Sequence, residues 1–168
     1  VPEPGQSDRI VGTLVHRMLQ RFGFDLAGGK TVARNAALGI LRPEEALATS
    51  AERTAEELAD AAVDVYRSIC GRPDVRALYA AGDRLHEVPF TMRLDGVVLR
   101  GTIDCLVRAA SDRMTVLEFK TGRPRDDHRV QLDLYRRAAE RLFPGLSVDG
   151  HLIYSGESAP AGARRDRF

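Results

Sequence analysis

Near residue 85 the apolar residues stop recurring every three or four positions and begin to alternate. Three runs of strand character follow, at 85–94, 97–108 and 113–120. The first two are separated only by Asp95-Gly96. Asp-Gly between alternating runs favours a two-residue turn with positive φ at both positions, the strongest short-range signal of an antiparallel hairpin. A second turn, over 109–112, returns the chain again. Residues 85–120 therefore read as a three-stranded meander, and the rest of the chain must supply what packs on it.

Before the meander the pattern is helical. Val11, Leu14, Val15, Met18 and Phe22 form one apolar stripe, which predicts a helix over 7–22 with Ser7 or Asp8 as cap and Gly23 as stop. Gly28-Gly29 breaks the pattern, so 25–42 reads as a loop with a short segment of undecided type. Pro43, followed by Glu44 and Glu45, opens a long helix to about residue 69, stopped by Gly71. Pro73 opens a short helix through residue 80. After the meander come a helix over 127–143, ended by Pro144-Gly145, and a strand over 148–154. The expected fold is α/β (α+β), a mixed sheet with helices against it, in a single domain spanning 1–168 with a flexible tail over 156–168.

At 168 residues the chain is long enough to bury a core without staples. Its two cysteines, Cys70 and Cys105, make neither a disulfide framework nor a four-thiolate metal site, and a reducing, cytoplasmic setting is expected. No apolar run approaches the ~20 residues of a membrane span. The chain begins at Val1 rather than Met, as expected of a piece excised from a longer protein. The formal charge is only +1, so net charge announces no nucleic-acid partner. The 25 basic residues are all Arg except Lys30 and Lys120. Arg forks onto phosphate oxygens, although a GC-rich genome would give the same bias.

The chemistry gathers around the second turn, centred near Ser111. Asp104 lies seven residues before that centre and Glu118 seven after, so in this register they face each other, with both carboxylates on one face of the sheet. Lys120 shares that face. Ile103, Cys105, Val107, Leu117 and Phe119 take the other and enter the core. Opposed residues have Cβ atoms ~4.5–5.5 Å apart, and two carboxylates ~5 Å apart repel by roughly 3 kcal/mol at an effective dielectric of 20. Lys120 offsets part of this. A hard divalent cation would offset it better. An exposed hairpin with one ion pair and no metal satisfies the same spacing.

On the following helix Gln131 and Tyr135 are four apart and share a face, where they can serve a phosphate or a metal ligand, or simply form a polar rim. Leu134 and Ala138 are its expected core contacts. His16 sits beside the stripe of the first helix, as a ligand or as a residue of the core edge. His86, His128 and His151 show no ligand spacing with one another.

Four segments resemble RecB-type nucleases of the PD-(D/E)XK superfamily. Gly12 to Gln20 resembles their G-x-x-x-H-x-x-L stretch, Arg100 to Asp104 their G-x-I-D strand, Leu117 to Gly122 their D/E-x-K-T-G strand, and Gln131 to Tyr135 their Q-x-x-x-Y helix. The segments occur in family order, and the resemblance extends to nuclease domains fused to the C-terminal end of UvrD/Rep-like helicases of the AddA and RecB type. It implies a restriction-endonuclease-like fold. It implies that Asp104 and Glu118 ligate Mg²⁺ or Mn²⁺ with the backbone carbonyl of Phe119. Lys120 would orient the attacking water, and His16 would assist at the metal or the scissile phosphate. Gln131 and Tyr135 would contact DNA or brace the site, and Glu87 matches a further acidic strand position. The implied partners are DNA, the helicase domains of a parent chain and a second helicase–nuclease subunit. Many helicase-fused members carry Asp where this chain has Glu118. Two cysteines cannot hold the iron–sulfur cluster of some relatives, which places the chain with the cluster-free branch.

Two other functions share these residues. A catalytically inactive DNA-binding domain of the same fold would show no Asp104-dependent metal binding. A structural or protein-interaction domain would have a flat or acidic surface beside Asp104.

Overall fold

The computed structural model describes residues 5–109 and 112–156. The expected tail over 156–168, apart from Gly156, lies outside them, as does Ser111.

The three-stranded meander is present. Strands β1 (Gly82–Leu94), β2 (Val97–Ala109) and β3 (Arg113–Lys120) pair antiparallel in sequence order. Asp95 and Gly96 take φ of 49° and 83°, and Leu94 pairs with Val97, the two-residue turn that the dipeptide demands. After β3, helix α6 (Asp126–Leu142) crosses over, and β4 (Ser147–Tyr154) adds parallel to β3. The result is a four-stranded mixed sheet in the order β1-β2-β3-β4 flanked by helices, consistent with a restriction-endonuclease-like fold.

Two cores lie on opposite faces of the sheet. On one, α1 (Gln6–Phe22), α2 (Lys30–Ile40) and α4 (Ala55–Cys70) pack on Cys105, Val107, Leu117, Phe119 and Ile153. Leu14, Val15 and Met18 of the α1 stripe are fully buried there, each contributing about 1.5–3 kcal/mol of burial. On the other face α6 lays Tyr135, Ala138 and Ala139 against Phe90, Leu106, Met114 and Val116. Leu134, expected in the core, is only partly buried; Tyr135, expected to serve the site or to form a polar rim with Gln131, is 8% exposed and also belongs to the core.

Three expectations are corrected. Residues 25–42 contain the eleven-residue α2, because Gly29 stands at its N-cap and Ala33 and Ala37 bury completely. The small side chains that make this helix weak in pattern are what let it pack closely. The long helix over 43–69 is two, α3 (Pro43–Ala48) and α4. Thr54 is the cause: its hydroxyl accepts from the Glu57 amide at 3.2 Å, while the Glu57 carboxylate accepts from the Thr54 amide at 2.7 Å. That capping box starts a new helix inside the Ala/Glu-rich run. A short α5 (Pro73–Tyr79) then leads into β1. Finally, Ile103 does not share a face with Cys105 and Val107; it packs in the α6-side core. Alternation requires residues 103 and 105 to agree, so β2 turns over between them, at Asp104. Opposite this point in β1 stands Glu87, at φ 50°, a left-handed conformation that costs a non-glycine residue of order 1–3 kcal/mol.

Candidate active site

The register of both hairpins converges on Asp104. Leu94↔Val97 continues through His86↔Cys105 and Val88↔Ile103, so Glu87 stands opposite Asp104 on one side. The β2–β3 ladder runs from Arg108↔Met114 to Cys105↔Leu117, and the next positions along it are Asp104 and Glu118. Asp104 is thus flanked by an acid on each neighbouring strand. Past Cys105 the Asp104 side chain replaces the ladder bond: its Oδ2 accepts from the Phe119 amide at 2.9 Å.

Two helices deliver the remaining groups from opposite faces. Gly12 lets α1 reach the end of β3, since a Cβ there would lie 3.0 Å from Thr121 Oγ1. One turn later His16 Nδ1 lies 3.2 Å from Asp104 Oδ1. His16, Glu87 and Asp104 each offer a ligand atom, and these atoms lie within 4.8 Å of one another. From the other face, Gly101 admits the Phe90 and Tyr135 rings, which meet edge to face at 5.6 Å; a Cβ would meet Phe90 at 2.8 Å. Seated there, Tyr135 Oη accepts from Gln131 Nε2, Gln131 Oε1 accepts from Lys120 Nζ, and Lys120 Nζ donates to Glu118 Oε1, each bond 2.7 Å. Gln131 and Tyr135 therefore meet Lys120 directly, as one chain of hydrogen bonds.

Burial sets the electrostatics. Glu118 is 2% exposed, and its Oε2 is buried without a partner. Loss of solvation, then the Asp104 charge, push its carboxyl up to about 7 against the pull of Lys120. Glu87 is raised for the same two reasons. Burial lowers His16, but its hydrogen bond to Asp104 and the surrounding carboxylates outweigh that and leave it raised.

The orphaned Glu118 oxygen and the convergent His16, Glu87 and Asp104 atoms fit a divalent cation: a donor set dominated by carboxylate oxygen suits Mg²⁺ or Mn²⁺. Of the residues singled out in the sequence, His16, Glu87 and Asp104 form one group and Glu118, Lys120, Gln131 and Tyr135 an adjoining one; of Phe119 it is the amide that meets Asp104. Glu87, secondary in the sequence, stands with His16 and Asp104 in the one ligand cluster found among the described residues, while Glu118 lies outside it, drawn toward Lys120. The signal for Glu87 was present in the sequence, because the Asp95-Gly96 turn fixes its position opposite Asp104.

No curated protein matches the sequence. Among solved structures, protein VC1899 from Vibrio cholerae is similar at 16% identity and a TM-score of 0.38, over 92% of this chain and 48% of that one. The chain thus spans about half the length of that protein. A family model described as the PD-(D/E)XK nuclease superfamily matches residues 1–164. With nearly its whole length so matched, the chain belongs to the PD-(D/E)XK nuclease superfamily.

Proposed function

We propose that this chain hydrolyses phosphodiester bonds of DNA with the help of Mg²⁺ or Mn²⁺, as the nuclease part of a helicase–nuclease acting in double-strand break repair and recombination, with exonuclease activity. The observation that supports the hydrolytic reading is the placing of Asp104 and Glu118 at neighbouring positions of β2 and β3, with Lys120 bonded to Glu118 and the second Glu118 oxygen buried without a partner. The helicase association and the exonuclease role rest on the resemblance of the four sequence segments to helicase-fused domains.

In this reading Asp104, Glu118, His16 and the Phe119 carbonyl would hold the cation, with Glu87 beside them. A divalent cation so placed supplies Lewis acidity toward the phosphate and a water of lowered pKa. The protein's own groups do the positioning. The Phe119 amide and His16 fix both oxygens of Asp104. Lys120 presents a compact ammonium, whose remaining proton orients the attacking water and meets the charge that develops on the phosphate. Gln131, itself held by Tyr135, keeps that ammonium in place.

The test is degradation of single- and double-stranded DNA by the purified protein. Activity should appear with Mg²⁺ or Mn²⁺ and vanish with chelator, and Lys120→Ala should lower kcat by about 10²-fold or more, as loss of a charged donor at a developing oxyanion does. Equal activity in that variant would remove the mechanism.

A further inference from the structure

Beside the acidic cluster, at the C-terminal end of α1, lies a hollow of about 450 Å³, a size that admits one small organic unit. Three elements line it with arginine: Arg21 from α1, Arg76 from α5 and Arg84 from β1. All three are exposed. Among the described residues no carboxylate lies within ion-pair distance of any of them, whereas Arg17, Arg34, Arg53, Arg72, Arg125 and Arg136 each have one. Asp25 is the only acid in the lining, so the hollow is a concave site of net positive charge.

Its wall is aromatic and stiff. Tyr79 stacks on Phe24 with ring centroids 3.9 Å apart and planes 4° from parallel. The Arg84 guanidinium lies 4.9 Å from the centre of the Tyr79 ring and donates to the Tyr79 carbonyl at 3.3 Å. A guanidinium held over an aromatic ring offers a flat, charged platform of the kind on which nucleobases stack. The hollow also adjoins the ligand cluster. Tyr79 Oη lies 3.0 Å from Nε2 of His86, the residue before Glu87. Gln20, also in the lining, is one helical turn beyond His16.

We infer that this hollow binds one nucleotide unit of a single DNA strand next to the bond being cleaved, with Arg21, Arg76 and Arg84 meeting its phosphates. The inference rests on the nuclease reading for its account of why a strand lies there. One unit of a single strand matches the volume; a stacked duplex, with both bases of each pair, does not enter.

The test is fluorescence anisotropy of a labelled single-stranded oligothymidylate with the whole protein in excess chelator, where cleavage cannot occur. The double variant Arg76→Glu, Arg84→Glu should bind about tenfold or more weakly. Losing two phosphate contacts should also make the slope of log affinity against log salt shallower by about 1.4. Arg137→Glu, exposed on α6 across the sheet, should keep affinity and slope within about twofold of the parent. Arg21→Glu, which leaves the Tyr79 stack untouched, should reproduce the loss if the double variant melts early. Parental affinity and slope in both Arg21→Glu and the double variant would overturn the inference, and so would an equal loss on a fully paired duplex. A protein with no nuclease activity could still pass this binding assay, and a protein that fails it could still cleave DNA, so the two readings fail separately.

Discussion

Glu118 carries the electrostatic tension of the site. A carboxylate 2% exposed, with one oxygen unpartnered and Asp104 as neighbour, is costly when ionised. Its carboxyl is raised in the folded protein to about 7. Stability linked to it is therefore full below the unfolded value, near 4.5, and is lost as pH rises through about 7. Without metal, Glu118→Gln should raise stability at pH 8 by roughly 1–3 kcal/mol while abolishing cleavage, as read by denaturant melts and a nuclease assay on one preparation. A variant less stable than its parent at pH 8 would mean that the charge is already compensated. At this scale the sequence was informative because strand pairing is arithmetic. Two turns set two registers, and both place an acid opposite Asp104. What arithmetic could not show is how side chains divide among partners: that Glu118 turns to Lys120, that Glu87 joins His16, and that Tyr135 belongs to the core as much as to the site.

The elements were legible where the pattern was strong and misread where one residue decided. The break between α3 and α4 depends on Thr54, whose capping box is a local signal inside a run of good helix formers. Thr54→Ala should cost about 1 kcal/mol in a denaturant melt; no change would mean that packing alone ends the helix. The start of α3 is tied to α1 by Glu45, which accepts from Arg17 Nη1 at 2.7 Å and Arg17 Nη2 at 2.6 Å. That bond foremost holds the Glu45 carboxyl below its usual range. Its contribution is present above the unfolded value, near 4.5, and is lost as pH falls through the depressed folded value. Arg17→Ala should therefore cost about 1–2 kcal/mol at pH 7, and progressively less as acid protonates Glu45. A cost that persists undiminished in acid would assign it to packing of the arginine stem. No spacing rule connects positions 17 and 45, which is why the pair was invisible before the fold.

Across the whole molecule, the sheet serves as a frame that brings two helices to one point from opposite faces. α1 supplies His16 and α6 supplies Gln131, and the turnover of β2 at Asp104, with Glu87 opposite at φ 50°, aims the acids between them. Strain at that position is consistent with a site whose geometry the surrounding cores enforce. The sequence order of helices, meander, helix and strand was enough to anticipate a mixed sheet with helices on it. It could not show that the meander changes face halfway along, because the apolar alternation runs unbroken through Ile103 and Cys105. Among the described residues no helix is long and apolar enough to cross a membrane. The proposed chemistry requires these acids to bind a divalent cation where a phosphodiester can reach it. A crystal soaked in Mn²⁺ and measured at the manganese absorption edge tests it most directly. An anomalous peak is expected against Asp104, bounded by His16 and by Glu118 or Glu87, that disappears in Asp104→Asn. Density at millimolar Mn²⁺ with no peak at Asp104, or a peak that survives the substitution unchanged, would contradict it.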